Sequence, residues 1–315
     1  MKLAVGIDIG GTNIVFGFLD QKGNILYEES LKTKYFCTPD TLVDTLSKKI
    51  QAQLDENKDW ELVGIGIGAP NGNYFKGTIE HAPNLDWKGI VPLVDLFKKY
   101  FDQPIILTND ANAAAIGEML FGVAKNESDF ILVTLGTGLG SGFVSGGQLI
   151  YGHDGFAGEL GHTIVEVNGR KCGCGRRGCL ETYASATGLV RTAQEWIPED
   201  PYSILNRFNS TEISSRVVAE AANEGDQLAL NIFEFTAEKL ALGLANAVAI
   251  TSPSLIVLYG GVSQAGDLLM TPLKKHFENY LQNIFQNKIR LEFSGLEEGN
   301  VAVLGAGALV WKSLN

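Results

Sequence analysis

The sequence predicts an α/β fold built on two related strand–turn–strand units, and three observations carry that expectation. Leu3-Ala-Val-Gly-Ile-Asp8-Ile-Gly10-Gly11-Thr12-Asn13-Ile-Val-Phe-Gly-Phe-Leu reads as a strand, a glycine turn and a second strand. A similar unit recurs at Phe130-Ile-Leu-Val-Thr-Leu-Gly136-Thr137-Gly138-Leu-Gly140-Ser-Gly142-Phe-Val, which makes a duplicated hairpin. Strand-like runs then alternate with amphipathic helical ones, the pattern of α/β architecture. With 315 residues, 45% of them hydrophobic and 19% charged, the chain can bury a sizeable core as two domains or one large unit.

Taken in order, helical periodicity falls at roughly Thr41 to Asn57, Val91 to Tyr100, Ala111 to Phe121, Ser214 to Ala222 and Gln227 to Ala249. A third glycine turn, Gly260-Gly261, follows the strand-like Leu255-Ile-Val-Leu-Tyr. The apolar stretch Ala241 to Tyr259 is interrupted by Asn246 and by Thr251-Ser-Pro253-Ser, so it reads as a buried helix followed by a buried strand, not a membrane span.

Acidic residues outnumber basic ones by 36 to 25, for a formal charge of -11. That balance offers no footprint for nucleic acid or an anionic membrane, so any phosphate must be met by local groups. The start, Met1-Lys-Leu-Ala-Val-Gly-Ile-Asp8, fails as a signal peptide, and a cytoplasmic protein is expected. A reducing compartment disfavours disulfides. Cys172-Gly-Cys174-Gly-Arg-Arg-Gly-Cys179 with the preceding Gly158-Glu159-Leu-Gly161-His162 is instead read as a zinc knot, three thiols and an imidazole closing a tetrahedral shell. Cys37 is left as a free thiol.

Glycine turns taken singly are structural features. Two of them together, exposing backbone N–H groups beside Thr12, Asn13 and Thr137, make anion-binding nests able to hold a triphosphate. A P-loop lysine is missing from both hairpins. The turn at Gly136 runs into strand-like residues, where a dinucleotide fingerprint would open a helix. In Ile105-Ile-Leu-Thr-Asn109-Asp110-Ala-Asn112-Ala, Asn109 or Asp110 caps a helix, and a carboxylate at that junction is also placed to take a hydroxyl proton.

Together, Asp8-Ile-Gly-Gly-Thr12-Asn13, Asn109-Asp110-Ala-Asn112-Ala, Leu135-Gly-Thr137-Gly138-Leu-Gly-Ser-Gly, the Glu159–His162 segment and the cysteine cluster with Glu181 resemble the ROK family of sugar kinases and repressors. The resemblance covers nearly the whole chain. It implies an actin-like ATPase fold of two RNase H-like domains with the active site in the cleft between them. It divides the chain into 1–121 and 122–299, with the final helix, about 300–315, returning to the first domain. It makes Asp110 the general base, and Asn84, Asn109, Asp110, Glu159, His162 and Glu181 the sugar-binding set. Asp8, Gly10, Gly11, Thr12, Asn13, Thr137 and Gly138 would hold the phosphates of ATP with Mg²⁺, and Gly260 and Gly261 the nucleoside. The zinc, on His162, Cys172, Cys174 and Cys179, would be structural.

The run Glu181-Thr-Tyr183-Ala-Ser185-Ala-Thr187-Gly188 resembles the glucokinase branch most closely, so glucose is the expected substrate, and the family resemblance implies a homodimer or a dimer of dimers. Mannose, fructose and N-acetylhexosamines remain alternatives. A sugar-responsive repressor is disfavoured, since the first hairpin begins at Leu3 with no DNA-binding segment ahead of it, and so is an actin-like scaffold without a sugar substrate. Trp87 near Asn84 is read as core in preference to a stacking platform.

Overall fold

The computed structural model describes residues 1–296 and 301–314. Near-continuous apolar runs make the central strands, because both of their faces are covered. In the first half, β1 (Lys2–Ile9) and β2 (Asn13–Leu19) pair antiparallel, with Asp8 opposite Val15. β3 (Ile25–Lys32), alternately half-buried and exposed, extends the edge. α1 (Pro39–Glu56) starts on Thr38, whose hydroxyl accepts from the Thr41 N–H, with Pro39 in the first turn. It crosses over to β4 (Glu61–Gly68), which lies parallel to β1.

A small antiparallel sheet of β5 (Gly72–Asn73), β6 (Thr78–Glu80) and β7 (Ile90–Val91) and the short α2 (Leu93–Phe97) lead to β8 (Ile105–Thr108), parallel to β4. The sheet order is β3-β2-β1-β4-β8. The helix α3 (Asp110–Phe121) follows directly.

The second half repeats this plan. β9 (Phe130–Leu135), β10 (Leu139–Ser145) and β11 (Gln148–Leu149) form the antiparallel side, the second hairpin of the sequence pattern. A long excursion carrying α4 (Glu181–Ala184), α5 (Ala186–Trp196) and α6 (Ser215–Asn223) precedes the 25-residue α7 (Gln227–Thr251). β12 (Leu255–Tyr259), α8 (Asp267–Tyr280) and β13 (Arg290–Phe293) complete the order β11-β10-β9-β12-β13. The apolar run at 241–259 is thus the end of α7 and β12, separated by Ser252 in a left-handed conformation and by Pro253. Among the described residues no helix is long and apolar enough to cross a membrane.

Three helices escape the sequence pattern. α4 has only four residues, α5 carries the weak helix formers Thr187, Gly188 and Thr192, and α8 holds Pro272 in its second turn. Trp87 is buried and donates to the Phe36 carbonyl at 2.9 Å, a core role.

The halves meet through two exchanged helices. α3 lies on β9 and β10 of the second sheet, while the last helix, α9 (Val301–Ser313), lies on β1 and β4 of the first, and the two pack together. The expected boundary at 299/300 lies outside the described residues. Small residues permit this contact: a Cβ on Gly66 would stand 1.8 Å from the Ala306 carbonyl oxygen, and one on Gly305 2.7 Å from that of Ala113. A second bridge stacks Tyr74 on Tyr151 at 4.1 Å, beside Asn73 Nδ2 donating to the Asp154 carbonyl at 2.8 Å.

Candidate active site

Two carboxylates converge where the halves meet. Asp8 is the half-buried next-to-last residue of β1, and Asp110 opens α3 one residue after the end of β8. Gly68 stands between them, since a Cβ there would lie 3.5 Å from Asp110 Cα and 3.6 Å from Asp8 Oδ1. Asn109 is the helix cap: its Oδ1 accepts from the Ala111 N–H at 2.8 Å. Asp110 Oδ1 shares that donor at 2.8 Å, and its side chain opens on the cleft. Enclosure by protein pushes the Asp110 carboxyl above the ordinary carboxylate range, outweighing the opposing pull of the backbone N–H groups. Burial, with the charge of Asp110, pushes Asp8 up to about 7.

Around them lie the glycine turns. Gly10 N–H donates to the Asn13 carbonyl at 2.9 Å, and Thr33 clamps the turn from β3, its hydroxyl on the Gly10 carbonyl at 2.7 Å and its N–H on that of Thr12 at 3.1 Å. Gly11 sits against Asn84, where a Cβ would come 2.7 Å from the Asn84 carbonyl oxygen. In the second turn Thr137 and Gly138 are exposed, while the Ala186 N–H and the Thr187 hydroxyl hold the Gly136 and Thr137 carbonyls at 2.9 and 2.7 Å. Gly260, at φ +106°, packs on the Leu135 backbone, so the third turn abuts the second.

Beyond the second turn stands the cysteine cluster. One ligand atom from each of His162, Cys172, Cys174 and Cys179 lies within 4.8 Å of the others. Cys174 Sγ to Cys179 Sγ and Cys172 Sγ to His162 Nδ1 are both 3.6 Å. Tetrahedral zinc with bonds of about 2.0–2.3 Å requires ligand separations of roughly 3.5–3.8 Å, so the donor set fits. Its loop is braced by Arg176, donating to the His162 carbonyl at 2.7 Å. Glu181 closes the gap to the cleft: its Oε1 is 2.9 Å from Cys172 Sγ and 3.5 Å from His162 Nδ1, and its Oε2 is 3.1 Å from where a Gly138 Cβ would stand. His162 Nε2 points the other way, 3.9 Å from Glu159 Oε2. Burial raises the Glu159 pKa; His162 opposes this, while Asp110 and Glu181 add to it.

The ROK family model matches residues 4–313. The chain belongs to the ROK family. It is 37% identical to the glucokinase of Halalkalibacterium halodurans over 99% of its own length and 96% of that protein. It is 33% identical to the xylose repressor of Caldicellulosiruptor bescii, over 97% of its own length and 77% of the repressor. Among solved structures, a ROK family glucokinase from Streptomyces griseus, in complex with glucose and AMPPNP, superposes with a TM-score of 0.79 at 35% identity, covering 98% of both chains. The paired sheets are those of the actin-like ATPase fold that ROK proteins share.

In this ROK protein neighbouring pairs link the charged groups in a chain: Asp8 with Asp110, Asp110 with Glu159, Glu159 with His162 and Glu181, and His162 with Glu181. Asn84 contacts the first glycine turn, Gly11, and Gly261 borders open space. Three features lie outside the sequence reading. Ser141 donates to the Gly158 carbonyl and accepts from the Leu160 N–H at 3.2 Å, fixing Glu159 between them. Asn112 is buried with its Oδ1 unpartnered, beside a cavity of about 20 Å³ that Asn109, Ser141 and Glu159 also line. Lys32 donates to Asn13 Oδ1 at 2.7 Å. Ser141 and Asn112 stand inside the quoted motifs, but their contacts are not readable from spacing, and Lys32 stands in none of them.

Proposed function

We propose that this protein is an ATP-dependent hexose kinase that phosphorylates glucose at its 6-hydroxyl, with Asp110 as the general base. The observation that carries the reading is the meeting of Asp110 with Asp8 and the glycine turns at the junction of the two sheets. The resemblance to glucokinases supports glucose, with mannose, fructose and N-acetylhexosamines as the competing substrates. We divide the chain into 1–121 with α9 and 122–299, the lobes hinging at the seam of α3 and α9, and assign a homodimer and a cytoplasmic location.

Phosphoryl transfer asks a protein mainly for alignment and charge neutralisation. The backbone of Gly10 to Asn13 and of Thr137 and Gly138 would cradle the phosphates from opposite lobes, and Gly260 and Gly261 the nucleoside. Mg²⁺, when bound, supplies charge neutralisation, and Asp8 would hold it. Asn84, Asn109, Glu159, His162 and Glu181 would orient the sugar so that its hydroxyl faces Asp110. A carboxylate with a raised pKa is a better proton acceptor than an ordinary one, and Asp110 remains ionised once pH exceeds that pKa. Zinc, with four protein ligands, would leave no open position and so act structurally, through the Glu159 to Glu181 region. Closing the lobes on sugar would exclude water from the γ-phosphoryl group.

A sugar-binding regulator is the second reading, favoured by the repressor that matches along 97% of the chain. ADP release with Mg²⁺-ATP across glucose, mannose, fructose, N-acetylglucosamine and N-acetylmannosamine, run beside Asp110→Asn, separates the two. Turnover on glucose that the substitution abolishes supports the kinase. Sugar binding without turnover on any of them supports the regulator.

A further inference from the structure

We infer that Lys32 supplies the cation of the phosphate site, its ammonium group meeting the terminal phosphate of the bound nucleotide. This rests on the kinase reading and adds to it a residue outside every glycine motif. The first turn, Asp8 to Asn13, contains no basic side chain. The cleft it faces carries Asp8, Asp110, Glu159 and Glu181, and a nucleoside triphosphate brings several further negative charges.

Strand pairing puts the missing charge there. Asp8 is opposite Val15 across β1 and β2, and Asn13, two residues before Val15, is opposite Lys32 across β2 and β3. Directly paired residues and those two apart share one face of a sheet, so Asp8, Asn13 and Lys32 project together. Thr33, the next residue, fixes this position through its two hydrogen bonds to the turn. The Lys32 ammonium has three donors and spends one on Asn13 Oδ1 at 2.7 Å, with its side chain otherwise exposed. The remaining donors are free for phosphate oxygens.

In the transfer, the sugar hydroxyl oxygen bonds to the γ-phosphorus, the bond from that phosphorus to the β–γ bridging oxygen breaks, and its electron pair stays on ADP. The hydroxyl proton goes to Asp110. Lys32 exchanges no proton; it holds charge on the γ-phosphoryl oxygens throughout, which an opposite charge does best in a closed cleft.

The test is a pair of binding titrations, with ADP and with the non-hydrolysable β,γ-imido analogue of ATP, on wild type, Lys32→Met and Lys32→Arg, alongside sugar turnover. Loss of one charge-assisted contact should weaken analogue binding by Lys32→Met about 10- to 100-fold while leaving ADP within about twofold, and Lys32→Arg should recover most of it. Equal losses for both nucleotides would mark a brace for the turn and overturn the inference, as would an unchanged analogue affinity. Wild type that binds both nucleotides yet phosphorylates no sugar would refute only the kinase reading, since the binding ratio still judges Lys32.

Discussion

Glu181 accepts the Cys172 thiol at 2.9 Å, which ties a carboxylate facing the cleft to a member of the cysteine cluster. Glu181 also opens α4, so the cluster sets the position of that helix start through its last ligand, Cys179, two residues earlier. A zinc bound to Cys172 and His162 would claim both partners of Glu181 Oε1 and leave the carboxylate to the sugar.

The cysteine cluster is therefore expected to act on sugar affinity. Cys174→Ser should lower the zinc content of the purified protein and weaken glucose binding about 10- to 100-fold, the range found when supports of a metal site are removed. Metal analysis beside calorimetric titration with glucose measures both. Zinc lost with sugar affinity intact would disconnect the cluster from the pocket.

Asp110→Asn should lower kcat by about 10²–10⁴, the usual worth of a positioned base, while the glucose dissociation constant changes little. The wild-type kcat should fall on acidification through a pKa above the ordinary carboxylate value, because the base must be ionised and enclosure raises its pKa. A pH–rate profile flat down to pH 4 would remove Asp110 from the role of base.

How much was legible follows from how local each signal is. The two hairpins, the strand-to-helix junction at Asp110 and the Cys172–Cys179 cluster are short stretches whose spacing dictates their geometry, and each forms as its pattern demands. The return of the final helix to the first domain is an expectation of the resemblance and not of composition: the alanine and glycine content of α3 and α9 shows close packing but not which sheet each covers. The contacts of Ser141, though it stands in the second glycine motif, and of Lys32 were silent because one seryl hydroxyl or one lysine at a strand end has no spacing to measure. A helix N-terminus favours an ionised carboxylate, yet at Asp110 enclosure by the surrounding protein outweighs it and raises the pKa.

Asp8 gives a pH dependence of stability with a definite sign. Folded, its pKa is about 7; unfolded, it returns to about 3.8, so between these values the folded protein holds a proton that the unfolded chain has released. Its contribution is fully present below the lower value and is lost as pH rises through about 7. Asp8→Asn removes that loss, so its melting temperature minus that of wild type should be near zero at pH 4, climb through pH 5–7 and level off above it. A few degrees is the expected scale for a half-buried group beside a solvent-filled cleft. Scanning fluorimetry of the ligand-free proteins tests this, and a difference independent of pH would show that Asp8 ionises normally.

The seam between the halves makes its own prediction. A methyl group at Gly66 would stand 1.8 Å from the Ala306 carbonyl oxygen, and that atom belongs to the backbone of α9, which cannot rotate aside as a side chain would. Gly66→Ala must push α9 off β4, and α9 in turn packs on α3, whose first residue is Asp110. Overpacking of this kind costs about 2–3 kcal/mol, and with the steep urea dependence of a chain this size the unfolding midpoint should fall by roughly 1 M. Because the displaced helix supports the base, kcat should fall together with stability, whereas Lys32→Met should change kcat at an unchanged midpoint. Denaturation and turnover measured on both variants distinguish a packing effect from a loss of phosphate charge, and a Gly66→Ala protein with the wild-type midpoint would show that α9 is not held against β4 as closely as the structure places it.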